Sequence, residues 1–507
     1  MTFVTKYVPS AHKAIRDGCP DRLAVVATLF GLEPAAPERC RVLEIGCAEG
    51  VHLVPLAELA PESAFRGVDL DARAVEAGNA TIASLGLRNL TLECGDFRTL
   101  SIQNERFDAI VVQGVYSWVP RETRDALLSF IEGTLGDRGV AFISFNALPG
   151  GHARHLVREL VLPHVRSLAD PHERVARARE VVGELLRMPP QPGSSLALLR
   201  SELELFARAS DSLVHHDYLA ETNENVGLAS FVEHLAQHGL EYVSDAATLD
   251  RSPFGEHPLV TAETVHASEL ERIAYVDRLE MRRFRQAVVR KRRDPAPRFD
   301  LGRAGRLWFA SSAEPAARGD VQGAEPVSFK TVAGLELKTN VPDAKLALYE
   351  LGRVWPQALR LDDLAERVAE RLGSSPNIEK LAKLLLDSGG SAATRAFFRP
   401  PACLRAPSRL PKTTALARLD AGRGIEMTNV HHEPVKLDVP FNRALLALLD
   451  GTRDREALAR ELCDAIEAGR VAVPGIDPKV RSRWESLIPR EVDAGIERIA
   501  RFALLVA

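Results

Sequence analysis

The chain has 507 residues, 46% of them hydrophobic and 26% charged, a balance that suits a soluble globular protein of about two to four domains with room for real cores. A formal net charge of −4 argues against a general nucleic-acid binder, which shows a strong basic excess. Six scattered cysteines form no C-x-x-C pair, so neither a zinc site nor a disulfide framework is indicated. No apolar run reaches membrane-span length and the first residues lack a signal peptide's apolar core, so a reduced, cytoplasmic protein without membrane insertion is expected.

In chain order, Tyr7-Val8-Pro9-Ser10 precedes Pro20-Asp21-Arg22-Leu23, where Pro in a first turn with Asp beside it predicts a helix start. Arg41 to Ile45 then reads as a buried strand that ends in the turn Gly46-Cys47-Ala48-Glu49-Gly50, followed by a helical pattern through Leu53, Leu56 and Leu59. Small residues there let the backbone approach a ligand. The spacing is not G-x-G-x-x-G. It is E-x-G-x-[GA]-x-G, led by Glu44, and resembles motif I of class I S-adenosylmethionine (SAM) methyltransferases.

A second strand, Ala64 to Leu70, carries Asp69 nineteen residues past Gly50, the offset at which an acid takes ribose hydroxyls in nucleotide-binding βαβ units. A helix closed by Gly86 leads to a third strand, Leu90 to Cys94, and then Gly95-Asp96-Phe97, with Asp96 the candidate for the adenine amino group. The fourth strand, Phe107 to Val112, empties into Gln113-Gly114-Val115-Tyr116-Ser117-Trp118-Val119-Pro120 at the carboxyl edge, where open α/β sheets bind ligands. Two aromatic residues within three positions point to the methyl group's surroundings, since ring faces favour a sulfonium. Core packing is the competing reading. A helix and the turn Gly136-Asp137-Arg138-Gly139 lead to a fifth strand, Val140 to Phe145. The alternation predicts a parallel, doubly wound, Rossmann-like sheet.

Residues 152–230 read as a helical insertion broken at Pro189-Pro190-Gln191-Pro192-Gly193, placed to lid the substrate cleft or make a dimer contact. A helix ending at Gly239, the strand Leu240 to Val243 and the strand Arg283 to Lys291 resemble the closing antiparallel pair of the methyltransferase sheet, which would then have seven strands. The expected divisions are 1–151 for SAM binding, 152–230 for the insertion, 231–292 for the closing strands, 293–395 for a winged-helix-like middle unit and 396–507 for a second one. In the last two, acidic residues interspersed along the helices expected at Leu361 to Leu372 (Asp362, Asp363, Glu366, Glu370) and Arg455 to Ile466 (Glu456, Glu461, Asp464) favour protein recognition over DNA.

A narrower resemblance rests on Pro20-Asp21-Arg22-Leu23, Leu43-Glu44-Ile45-Gly46-Cys47, Gly114-Val115-Tyr116-Ser117-Trp118-Val119-Pro120, Asn146-x-x-Pro149-Gly150, His216-Asp217-Tyr218-Leu219 and Arg283-Phe284-Arg285-Gln286. These are similar to bacterial class I methyltransferases with a methyltransferase regulatory domain, the group of the rickettsial outer-membrane-protein lysine methyltransferases. The resemblance implies SAM as donor, a homodimer, and protein lysine side chains as acceptor. Glu44, Gly46, Cys47, Ala48, Gly50, Asp69, Leu70, Gly95, Asp96, Phe97, Gln113 and Gly114 would hold the donor, and Tyr116, Trp118, Tyr218 and His216 would line the transfer site. His216 and Tyr218 have a helix-end and core alternative, and His52 stands where the group usually has Asn. No metal is expected. The fourth-strand loop lacks an Asn/Asp-Pro-Pro-aromatic string or a Pro-Cys pair, so a nucleobase acceptor is disfavoured. A small-molecule or nucleic-acid methyltransferase and a non-catalytic SAM-binding regulator remain as alternatives.

Overall fold

The computed structural model describes residues 14–100, 102, 105–191, 193–247, 260, 268–316, 321–390, 393–473 and 484–507. The readings at Tyr7 to Ser10 and Pro192 fall outside them. The first helix, α1 (Pro20–Leu29), starts on its proline as expected. The strands β1 (Arg41–Ile45), β2 (Ala64–Asp69), β3 (Leu90–Cys94), β4 (Phe107–Val112) and β5 (Leu135–Asn146) alternate with α2 (Leu53–Leu59), α3 (Ala72–Leu85) and α4 (Arg121–Thr134). With β6 (Leu240–Asp245) and β7 (Phe284–Lys291) they form one seven-stranded sheet in the order 3-2-1-4-5-7-6. Its first five strands are parallel, and β7 runs antiparallel to both β5 and β6.

Local chemistry explains the boundaries. Asp71 caps α3 by accepting from Arg73 N and Ala74 N, and Gly86 ends it at φ +66°. The tetrapeptide Gly136 to Gly139, expected as a turn, belongs to β5; the register shifts between Phe107 and Ala109, so one strand absorbs the irregularity as a bulge. Both sheet faces are covered. Val42, Val111 and Phe142 pack on one side with α1, while Leu43, Ile110 and Ile143 pack on the other with Leu127, Phe231 and Leu235.

Three helices make up the insertion: α5 (Gly151–Val165), α6 (Pro171–Arg187) and α7 (Ser195–Arg208). The short turn α8 (Asp211–Leu213) then runs into a π-helical turn, Val214–Tyr218. They enclose their own core, in which Val157, Val161, Val182, Phe206 and Tyr218 meet. A helix α9 (Leu228–Gln237) precedes β6. The next helix, α10 (Glu269–Leu279), was not apparent from residue spacing. It is held by a buried bidentate pair in which Arg285 donates from Nη2 to Asp277 Oδ1 at 2.7 Å and from Nε to Oδ2 at 3.1 Å, which gives the Arg283-Phe284-Arg285-Gln286 string a structural purpose.

The second half has two parts. In the first, β8 (Trp308–Ala310), β9 (Glu314–Pro315), β10 (Val327–Lys330), β11 (Glu336–Thr339), β12 (Leu359–Arg360) and β13 (Arg395–Phe397) accompany α11 (Pro342–Val354), α12 (Leu361–Leu372) and α13 (Ile378–Gly390). The helix α13 runs through Ser388-Gly389-Gly390, where the composition suggests a break; the Ser388 hydroxyl bonds the Leu384 carbonyl one turn back. Because the core that includes Phe30, Val42 and Phe142 continues into Phe309, Leu351 and Leu385, this part is fused to the sheet rather than tethered. The second part holds β14 (Lys412–Thr413), α14 (Ala415–Arg423), β15 (Glu426–Thr428), β16 (Pro434–Lys436), α15 (Pro440–Leu448), α16 (Arg455–Glu467), α17 (Ile488–Arg501) and β17 (Leu505–Val506). The strands β15 and β16 pair antiparallel as a small wing. Among the described residues no helix is long and apolar enough to cross a membrane.

Candidate active site

The turn after β1 is shaped for close approach. Gly46, Ala48 and Gly50 all have positive φ, at +79°, +46° and +72°. A Cβ on Gly46 would sit 2.6 Å from Val115 Cγ2, so the β1 turn and the loop after β4 pack with no room for a side chain. Ala48 N donates to Asp69 Oδ2 at 2.8 Å, and Asp71 N to Asp69 Oδ1 at 2.9 Å. Each oxygen keeps a second lone pair, so the carboxylate is fixed yet still able to accept from hydroxyls. Beside it Leu70 is 69% exposed and Gly95 N bonds Asp69 O, which joins the ends of β2 and β3 into one rim.

The carboxylate of Glu44 is 3% exposed and its Oε2 has no hydrogen-bond partner. Burial first, and then the charge on Asp69, push the Glu44 carboxyl well above the usual carboxylate range. The Oε1 of Gln113 is likewise buried without a partner at the end of β4. Two acceptors without donors, beside a turn with no room for a Cβ at Gly46, fit a ligand with an aminoacyl chain, a sulfonium and a ribose. Asp96 stands at the end of β3, but its carboxylate caps the turn Phe97–Thr99 and binds Arg98. That pair, led by the Arg98 hydrogen bonds, holds the Asp96 carboxyl below its ordinary range. Phe97 is buried against Phe130.

The two aromatic residues after β4 part company. Tyr116 is 1% exposed, with its ring against Phe145 and Phe231 and its hydroxyl 2.7 Å from His234 Nδ1. This is the core arrangement. Trp118 is only partly buried, and its indole N–H donates to the His216 carbonyl at 2.9 Å, so the insertion meets the loop after β4. Tyr218 is buried in the insertion's core, donating its hydroxyl to Glu202 Oε1 at 2.8 Å; Arg283, just before β7, reaches the same carboxylate at 2.7 Å. Burial and Glu202 push the Tyr218 phenol up, away from any role as a base near neutral pH.

Other residues fill the seam. Asn146 N donates to Ser117 Oγ; Asn146 Nδ2 donates to Asn223 Oδ1, and Arg154 bridges Asn146 Oδ1 and Asp217 at 3.0 and 2.8 Å. The Asn146-x-x-Pro149-Gly150 string carries a signal for the first of these. Asn223 and Arg154 lack one, because their role depends on how the insertion folds back. His52 lies in the same region but faces elsewhere: its Nδ1 is 2.9 Å from His432 Nε2, in the second part of the appended half. A separate cavity of about 260 Å³, lined by Arg41, Arg66, Glu93 and Glu105, opens at the amino ends of the strands, on the edge away from these residues.

Three family models match the chain: a methyltransferase domain over residues 42–139, a predicted methyltransferase regulatory domain over 210–291, and the "PKMT, C-terminal winged helix domain" over 410–504. An uncharacterized protein of Rickettsia prowazekii is 27% identical over 512 residues, covering 96% of this chain and 91% of its own length. A shorter protein of the same organism is 34% identical over 217 residues, 42% of this chain and 86% of that one. The structure of PKMT2 from Rickettsia typhi superposes with a TM-score of 0.85 at 24% identity, over 98% of this chain and all of that one, and its complex with AdoHcy gives 0.86. The fold is therefore shared end to end, and the chain belongs to the class I SAM-dependent methyltransferases that carry the methyltransferase regulatory domain and the PKMT C-terminal winged helix.

Proposed function

We propose that this enzyme transfers the SAM methyl group to lysine amines on a protein acceptor. The observation that carries the acceptor class is the match of residues 410–504 to the winged helix of PKMT proteins, on a chain that superposes over its full length with PKMT2. SAM supplies an activated methyl on a sulfonium. Gly46, Cys47, Ala48 and Gly50 give its aminoacyl chain a backbone surface, and Glu44 and Gln113 offer buried acceptors to its cationic groups. Asp69 accepts from the ribose, with Leu70 as a platform for the base. Gly95, Asp96 and Phe97 close the adenine end, and Gly114 lets the β4 loop lie against the β1 turn.

The acceptor enters along the seam between Trp118 and the turn that carries His216. Tyr218 and Tyr116 act there by holding elements in place, not by touching the amine. A lysine must arrive neutral, and a dry, partly aromatic seam disfavours the ammonium form, lowering its pKa. Alignment of amine, methyl and sulfur supplies much of the remaining acceleration. The divisions 1–151, 152–230, 231–292, 293–395 and 396–507 then act as donor site, lid, closing strands and two protein-recognition units. Exposed Leu156, Leu160, Leu198 and Leu205 on the insertion support a homodimer.

The test is incubation of the purified chain with radiolabelled SAM and bacterial lysate, followed by fractionation and peptide mass spectrometry. Label on protein lysines, lost in Asp69→Ala, is expected. Label in nucleic acid or in the small-molecule fraction overturns the acceptor class, and SAM binding with no turnover overturns the catalytic reading.

A further inference from the structure

Outside the donor site, two histidines and one carboxylate converge between α4 and α9. His234 and His238 lie four residues apart at the end of α9, so both rings project from one helix face. Asp125 projects from α4. His234 Nε2 is 2.7 Å from Asp125 Oδ1, His238 Nε2 is 3.8 Å from the same oxygen, and the three ligand atoms lie within 4.8 Å of one another. A tetrahedral zinc ion with bonds of about 2.0 Å needs its ligand atoms about 3.3 Å apart. The two distances to Asp125 bracket that spacing.

The outer contacts point the same way. The remaining nitrogen of each ring is fixed by a hydroxyl from a different element: His234 Nδ1 by Tyr116 at 2.7 Å, His238 Nδ1 by Ser129 at 2.9 Å. Such partners set the tautomer and aim the other nitrogen, as they do around metal-bound histidines. The Asp125 side chain is 43% exposed, which leaves a fourth position open to solvent. Arg121, 3.5 Å from Asp125 and mostly exposed, is the cation an ion would displace.

We propose that Asp125, His234 and His238 bind one divalent transition-metal ion of the zinc class, with water as fourth ligand. The ion pins α9 to α4. Through the His234 ring it also fixes Tyr116, and with it the loop after β4. Binding on Nε2 makes His234 Nδ1 the donor to the Tyr116 oxygen, so the ion sets the direction of that hydrogen bond.

The experiment strips the full chain with a chelator and titrates it with Zn²⁺ by calorimetry. A second titration uses Co²⁺, whose visible spectrum reports four-coordinate geometry. One equivalent per chain is expected, weakened at least tenfold in His238→Ala and in Asp125→Asn and unchanged in His155→Ala. A raised unfolding midpoint should accompany binding in the wild type but not in His238→Ala. His238 is near the surface, so its variant tests the site even where His234→Ala fails to fold. No bound equivalent, or equal binding by wild type and His238→Ala, overturns the proposal.

Discussion

Glu44 shows at the residue scale what the donor site requires. A buried carboxylate with a partnerless oxygen and a raised pKa is costly to the folded chain. Glu44→Gln removes that cost, so the ligand-free protein should unfold at equal or higher temperature. SAM affinity, measured by calorimetry, should fall ten- to a hundredfold, about 1.5–3 kcal/mol for a hydrogen bond to a charged group. Gly46→Ala tests the packing of the turn. Its Cβ would collide with Val115 at a positive φ, a strain of about 1–3 kcal/mol that should abolish donor binding while far-ultraviolet circular dichroism stays native. These positions were legible in the sequence because a backbone that turns back on itself beside a ligand tolerates few residue types. Tyr116 was not. An aromatic after β4 has the same signature whether it faces a cleft or a core, and only Phe145, Phe231 and His234, brought in by later strands and helices, decide it.

Elements that touch in sequence order were readable, and those joined by return of the chain were not. Five strands and their helices follow from hydrophobic period and turn residues. The seam between the π-helical turn and the loop after β4 rests on Trp118 meeting a carbonyl nearly a hundred residues away, which no local pattern encodes. Trp118→Phe keeps a ring and loses that hydrogen bond, so methyl transfer should slow with SAM affinity unchanged, a split that steady-state kinetics reads directly. The contacts to α14 were equally hidden. Glu58, near the end of α2, accepts from Ala415 N and Leu416 N at the start of that helix, a carboxylate on orphan N–H donors. Glu58→Ala should cost about 1–3 kcal/mol, seen as a lower denaturant midpoint or earlier proteolysis within the last hundred residues.

Across the whole molecule, buried histidines set the response to acid. Burial pushes His52 down to about 4, His215 to about 4 and His431 to about 3, and holds His432 well below 6.5. As pH falls through about 6.5 the unfolded chain protonates these rings while the folded chain does not. The unfolded state then binds more protons, so stability is full above pH 6.5 and is lost down to about 4; His52 alone contributes on the order of 3 kcal/mol. Asp21 and Asp420, both pushed up to about 6 by burial, oppose this by favouring the fold as pH drops from 6, and the raised carboxyls of Glu44, Asp217 and Asp387 act in the same sense. The histidine contribution is therefore read by difference: from pH 7.5 to 5 the thermal midpoint of His52→Gln should fall less, or rise more, than that of the wild type. A variant whose midpoint tracks the wild type over this interval contradicts the assignment.

The helix α2 is gripped at both ends: its first turn by the His52–His432 contact, its last by the bond from Glu58 to α14. That helix begins at the donor turn, so whatever draws the C-terminal winged helix toward or away from α2 shifts how tightly SAM is held, and thermodynamic reciprocity requires SAM to alter that partner's affinity by the same factor. An acceptor protein seated on the far unit would thereby report its arrival to the methyl donor without approaching it, measurable as a difference in SAM dissociation constant with and without saturating acceptor.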